Sequence, residues 1–267
     1  MQSVVAEIDP IQKTYLAEQC LLVDERDNVI GSATKRDCHQ WKEIQRGSKF
    51  LAVFYINSFF SWMSALFYCL HRAFSVFVFN ENRELLMQKR SAAKITFPGC
   101  WTNTCCSHPL NVESERANSA GVQNAAVRKL KHEIGLKLDA SQLTPITRIV
   151  YRAPCDDGVW GEHELDYILI YAVSSNDHQP LELDLNANEV EAVQYWSHEK
   201  VAQVVESQMK SRSQNDIDTS ETSKTSDDVK ISPWFGMIAR RLLLPIWFSR
   251  IDDIQSVVDM DTIHDFR

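Results

Sequence analysis

Cys106 and His108 lie two residues apart in the run Thr96-Phe97-Pro98-Gly99-Cys100-Trp101-Thr102-Asn103-Thr104-Cys105-Cys106-Ser107-His108-Pro109. In extended chain such a spacing puts both side chains on one face, with Cys105 pointing away. A thiol that can exchange a proton and an imidazole that can hold a metal would then look into one cleft. Pro98 fixes φ, and Gly99 admits backbone conformations closed to other residues, so the chain can bend sharply just ahead of them. The same run also fits a buried loop in which the cysteines are small hydrophobes. A second pair with the same spacing is Glu162 and Glu164, just ahead of the apolar stretch Asp166-Tyr167-Ile168-Leu169-Ile170-Tyr171. On an edge strand both acids would simply be solvated. In a central strand they would need a cation or a shared proton, because neighbouring buried carboxylates are costly.

The surrounding elements must place these groups. Residues 10–19 suit a short helix. Cys20–Asp24 and Val29–Thr34 read as a hairpin around the turn cluster Glu25-Arg26-Asp27-Asn28. Lys35 and His39 follow and, taken alone, read as solvated loop residues. Arg72–Phe79 and Leu85–Lys89 are strands joined by a turn at Asn80-Glu81-Asn82. Arg90 and Lys94 then flank the loop that enters the Cys106 segment; surface solvation is the usual fate of such residues, but paired cations also suit an anionic ligand. Ala120, Val122, Ala125, Ala126, Val127, Leu130 and Ile134 recur at helical spacing, so a helix is expected over 119–134, stopped by Gly135. Short strands are expected at 148–151 and 191–196, a long one at 162–173, and a helix from Ser197 to about Met209. Pro233 suits the first turn of a last helix that carries Trp234.

Two stretches break the pattern. Residues 50–70 carry no charge and would be long enough to span a membrane. Three readings compete for the apolar segment 49–69: an anchor, a buried or amphipathic insertion, or residues extraneous to the working protein, such as a retained intron. The third is preferred: aromatic residues spread throughout instead of forming two end belts speak against an anchor, and the dominance of Phe, Ser, Leu and Tyr is what translated noncoding sequence would give. The polar run at about 211–228 is expected to be a disordered insertion.

Composition narrows the function. A chain of 267 residues that is 44% hydrophobic can bury a sizeable core. A net charge of -8 argues against a nucleic-acid surface, so any phosphate-binding cations must be local. Seven cysteines without paired spacing, and no basic-then-apolar leader before Pro10, point to free thiols in a reducing compartment. The expected location is cytoplasmic, with the peroxisome as the alternative, although the terminal Asp265-Phe266-Arg267 lacks the usual peroxisomal tripeptide.

The Asn-x-x-Cys-x-His-Pro pattern from Asn103 to Pro109 resembles the signature of type I isopentenyl-diphosphate isomerases. Leu70-His71-Arg72-Ala73-Phe74, Trp160-Gly161-Glu162-His163-Glu164 and Ser232-Pro233-Trp234 agree with it. In addition, Arg128-Lys129-Leu130-Lys131-His132-Glu133-Ile134-Gly135-Leu136 looks like a degenerate Nudix box in which Lys129 and His132 replace two glutamates. The resemblance implies a single α/β domain, a Nudix-type mixed sheet sandwiched between helices. Residues 1–48 would supply its N-terminal helix and hairpin, and 70–267 its main body. It implies a metal site of His39, His71, His108, Glu162 and Glu164, taking Mg²⁺, Mn²⁺ or Zn²⁺, and a Mg²⁺ held partly by Glu133 with the diphosphate. Lys35, Arg90, Lys94 and Ser107 would bind substrate. Cys106 and Glu164, helped by Tyr151, would move protons, and Trp234 would face the carbocation. The implied partner is a small isoprenoid diphosphate substrate; no nucleic acid and no stable membrane insertion are expected, and the expected state is a monomer. A Nudix pyrophosphohydrolase and a non-catalytic membrane-associated binding protein are the competing readings.

Overall fold

The computed structural model describes residues 8–46, 69–173, 181–215 and 229–267. Helix α1 (Pro10–Tyr15) starts at Asp9, whose carboxylate accepts from the amides of Ile11 and Gln12 at 2.9 and 3.1 Å. The hairpin β1 (Gln19–Val23) and β2 (Val29–Thr34) runs straight into α2 (Lys35–His39), capped by the Thr34 hydroxyl. After β3 (His71–Phe79) and β4 (Leu85–Arg90), two short strands follow, β5 (Trp101–Thr102) and β6 (Cys105–Ser107). The chain continues through α3 (Glu113–Arg116), α4 (Ser119–Ile134), β7 (Thr144–Pro154), β8 (Gly161–Ala172), β9 (Val190–Trp196), α5 (His198–Asn215) and α6 (Pro233–Ile238). Further helical turns carry it to Val257, and β10 (Ile263–Asp265) closes the order.

The strands form one mixed sheet in the order β10-β7-β8-β3-β1-β2; β4 and β6 pair with β3, and β5 and β9 with β4. β3 lies parallel to β8, and β10 parallel to β7, while the other pairs are antiparallel. Alternation along the strands builds two cores. Phe74, Val76 and Val78 of β3 and Leu165, Tyr167 and Leu169 of β8 pack with Val122, Ala126 and Leu130 of α4. Phe77 and Phe79, with Ile168 and Ile170, pack on the opposite side with Trp234, Phe235, Leu243 and Trp247. This is the sheet between helical layers that the sequence implied. Gly135 ends α4 at φ 72, and Gly99 turns the loop before β5 at φ 70, both in the left-handed region that glycine tolerates.

Several boundaries differ from the expectations. α1 stops at Tyr15, because Gln19 is already paired with Thr34 in the hairpin. Lys35 and His39 sit on a helix instead of a loop. The strand expected at 148–151 spans Thr144–Pro154, since it pairs with β8 along that whole length. α5 reaches Asn215 instead of stopping near Met209; residues 216–228 of the expected polar insertion lie outside the described residues. So do 49–68 of the apolar segment, while Cys69 is described, buried, and at φ 45. Among the described residues, no helix is long and apolar enough to cross a membrane.

Candidate active site

Sheet register assembles the first part of the site. Glu164 on β8 is the direct neighbour of His71 on β3 and of Tyr151 on β7, so one row across three strands carries an imidazole, a carboxylate and a phenol. Glu162, two residues earlier, points to the same face. His39 arrives from the end of α2, and His108 from just beyond β6. Among the described residues, His39, His71, His108, Glu162 and Glu164 form the one group able to hold a metal ion, with all five donor atoms within 4.8 Å of one another. The three imidazole rings lie 4.8 to 4.9 Å apart, centroid to centroid.

The donor set fits a divalent cation. His39 Nδ1 lies 2.7 Å from the carbonyl of Lys35, and His71 Nδ1 lies 3.0 Å from that of Cys69. Protons on both Nδ1 atoms satisfy those carbonyls and turn the Nε2 lone pairs inward, the usual way a protein orients ligating histidines. His71 Nε2 and Glu162 Oε2 are buried without an aligned hydrogen bond, as ligand atoms facing a common point would be. Burial opposes a charge on His71, yet Glu164 beside it overcomes that and lifts its pKa to about 9. Burial, joined by the charges of His71 and His39, pushes His108 well below its ordinary value. Glu164 is driven down to about 2: its burial acts the other way, but His71 outweighs it. The cluster thus draws in positive charge, by proton or by metal.

Glu164 divides its two oxygens. Oε1 faces the imidazoles, 2.8 Å from His108 Nε2 and 3.5 Å from His71 Nε2. Oε2 accepts a 2.5 Å hydrogen bond from the Tyr151 hydroxyl. Burial first, and then the Glu164 charge, hold that phenol well above its usual pKa. On β6, Cys106 pairs with Ser75 of β3 and turns toward the side that carries Trp234. Its sulfur lies 3.2 Å from Trp234 Nε1 and 3.0 Å from Asn103 Oδ1. Burial raises the thiol to about 12, against the pull of Arg90 and of the Thr102 hydroxyl. Cys105 points the other way, into the α4 core, with its sulfur 3.6 Å from Glu133.

One pocket, open to solvent, connects these groups. Cys106, Tyr151, Glu164, Trp234, His39, His108 and Glu162 line it, and Lys35, Arg90, Lys94 and Ser107 line it too. Lys35 has a lowered pKa, from burial above all and then from the nearby ammoniums of Lys129 and Lys94. Cations crowded in this way favour an anion between them. Arg90 gives Nε and Nη2 to the carbonyls of Thr96 and Phe97 and lies over the Trp234 ring, 5.4 Å from its centroid. The guanidinium therefore also fixes the loop that forms the pocket wall.

Glu133 is set apart. It is fully buried behind the pocket, where Lys129 lies 3.1 Å and Lys94 3.7 Å from its Oε1. Lys129 also reaches Glu189 at 3.6 Å, and Lys94 is hydrogen-bonded to the same carboxylate. The replacement of a box glutamate by Lys129 thus puts an ammonium among the remaining acids. Sequence reasoning missed Glu189, which no local pattern marks, and Gln12, Tyr15 and Leu16 of the N-terminal segment, which form part of the pocket wall. It also gave no role to Asn103, although that residue opens the matched motif.

A NUDIX domain model matches residues 70–215. Isopentenyl-diphosphate Delta-isomerase 1 of Mus musculus is 38% identical over 97% of this chain and 96% of its own length. Isopentenyl-diphosphate Delta-isomerase II of Clarkia breweri is 38% identical over 97% of this chain and 79% of its own. The chloroplastic isomerase I of Arabidopsis thaliana is 37% identical over 97% and 77% respectively. Matches of this extent agree with the five-ligand cluster and the degenerate box, and the chain belongs to the type I isopentenyl-diphosphate isomerases of the Nudix superfamily.

Proposed function

We propose that this site interconverts isopentenyl diphosphate and dimethylallyl diphosphate by adding a proton to the alkene and removing another from the neighbouring carbon. The observation that carries the reading is the divided Glu164 carboxylate, tied to the imidazole cluster by one oxygen and to Tyr151 by the other, in a pocket shared with the Cys106 thiol. Lys35, Arg90, Lys94 and Ser107 bind the diphosphate, so that charge–charge attraction at one end orients a hydrocarbon that offers no polar handle at the other. Protonation of the terminal carbon leaves a tertiary carbocation, whose charge the Trp234 indole stabilises. Tyr151 and Glu164 hold the proton on one side, and Cys106 exchanges the other. Acid and base exchange roles with the direction of reaction. Each turnover takes up one proton and releases one.

A divalent cation bound by the three histidines and two glutamates would keep Glu164 ionised, and Mg²⁺, Mn²⁺ and Zn²⁺ all suit a mixed nitrogen and oxygen set. A further Mg²⁺ accompanying the diphosphate would be held partly by Glu133, whose Oε1 lies 3.7 Å from Lys94. We place the enzyme in the cytoplasm as a monomer serving isoprenoid and sterol synthesis, with no nucleic-acid partner. The pyrophosphohydrolase reading is disfavoured by Lys129, which stands beside Glu133 where a water-activating metal would need carboxylates. Purified protein incubated with isopentenyl diphosphate should yield the dimethylallyl isomer. Chelator should abolish that turnover and added divalent metal restore it. Phosphate release from a nucleoside diphosphate derivative, without isomerisation, would overturn the assignment.

The segment 49–69 lies, on this proposal, outside the working domain. Cys69, the last residue of the segment, packs beside α2 with its sulfur 3.7 Å from the Asp37 carbonyl, and its own carbonyl meets His71 Nδ1, a backbone contact that Ser48 would have to supply in the shortened chain. A span through about 30 Å of hydrocarbon would separate His39 from His71, whereas one ion needs both within bonding distance. The chain joined from Ser48 to Leu70 should be more soluble than the full chain and at least as active. An active full chain beside an inactive deletion would refute this.

A further inference from the structure

We propose that Asn103 is the positioning residue that holds the Cys106 thiol and the Trp234 indole in a single arrangement toward the substrate. Asn103 sits in the bend between β5 and β6 and is fully buried. Its Nδ2 donates to the carbonyls of Val76 and Cys105, both at 3.1 Å. Those partners can only accept, so the amide cannot be turned over, and Oδ1 must be the atom that faces the site. There it meets three donors: Cys106 Sγ at 3.0 Å, Trp234 Nε1 at 3.1 Å and Thr102 Oγ1 at 3.0 Å.

Each of these donors has other contacts, but Asn103 Oδ1 is the acceptor common to all three. A thiol is a weak donor on a side chain free to change rotamer. Trp234 comes from α6, far along the chain, and its N–H lies within reach of both Asn103 Oδ1 and Cys106 Sγ. The Ser232 hydroxyl accepts from the amide of Phe235 at 3.4 Å and donates to Thr102 Oγ1 at 2.9 Å. The Thr102 proton is thereby left for Asn103 or for Cys106, whose sulfur is 3.6 Å away. One amide oxygen thus links the β5–β6 segment that bears the thiol to the helix that bears the indole. A misplacement of about 1 Å at a reacting group can lower the rate about a hundredfold.

The inference rests on the isomerase reading, which wild-type turnover tests by itself; the variants below are judged against that wild-type rate. In the metal-loaded full chain, Asn103→Ala should lower kcat about a hundredfold while KM stays within about threefold, because the diphosphate-binding end is untouched. The control is Thr104→Ala in the same bend. Thr104 is equally buried, but its hydroxyl donates to the Leu86 carbonyl at 2.5 Å and accepts from the Val78 amide at 2.9 Å, two backbone groups, in place of Cys106 and Trp234. That variant should lose comparable thermal stability and keep kcat within about twofold. If Asn103→Ala does not fold, the isosteric Asn103→Asp carries the test. It removes both Nδ2 donors, unpins the acceptor, and should still lower kcat at least about tenfold at nearly constant KM. Near-normal kcat in a folded Asn103 variant would overturn the proposal. So would a parallel loss of kcat in Thr104→Ala, or failure of both Asn103 variants to fold while Thr104→Ala folds.

Discussion

Cys106→Ala is expected to reduce isomerisation to background, a loss of about 10⁴-fold or more, whereas Cys105→Ala keeps kcat within about twofold. The two thiols are adjacent in sequence and sit on opposite sides of a strand. Cys106 lines the pocket, with the Trp234 indole and the Asn103 amide against its sulfur. Cys105 packs among Val76, Val122 and Leu130 in the α4 core. Losing its sulfur should cost on the order of 1 kcal/mol of stability, from a small cavity, without touching the reacting groups. Steady-state kinetics at saturating metal, with circular dichroism to verify folding, separates the two effects. Comparable loss of kcat in both folded variants would mean that the thiol assignment is wrong.

Glu164→Gln should be as severe, and excess metal should not repair it. The substitution keeps size but removes the charge that the imidazole cluster faces through Oε1, and the basic oxygen that accepts from Tyr151 through Oε2. Metal affinity and proton transfer should fall together, with kcat down at least about a thousandfold at any metal concentration. Glu162→Gln provides the contrast. Its carboxylate lies 2.9 Å from His39 Nε2, and Tyr151 is hydrogen-bonded to Glu164 instead. The expected loss is about 10- to 100-fold in metal affinity, with kcat recovered to within about fivefold at saturating metal. A metal titration of both variants decides the matter: full rescue of Glu164→Gln would remove that residue from the proton-transfer step.

What could be read without coordinates was whatever a short-range period encodes. The apolar spacing from Ala120 to Ile134 and the following Gly135 located α4 to the residue. The two-residue spacings of Glu162 with Glu164 and of Cys106 with His108 indicated shared faces, because strand geometry makes positions two apart equivalent. The motifs around Asn103, Glu133 and Glu162 carried the family. What could not be read was which faces meet. The parallel pairing of β3 with β8 makes His71 the neighbour of Glu164, and the antiparallel pairing of β7 makes Tyr151 its other neighbour. No local pattern specifies those registers, which follow from how both sides of the sheet are buried. β5, β6 and β10 escaped notice because two or three residues are too few to show a period; their partners define them. The pairing of Lys129 and Lys94 with Glu133 and Glu189 is likewise tertiary. Low polarity in the interior penalises any unpaired charge there, so packing decided which acid each lysine would meet.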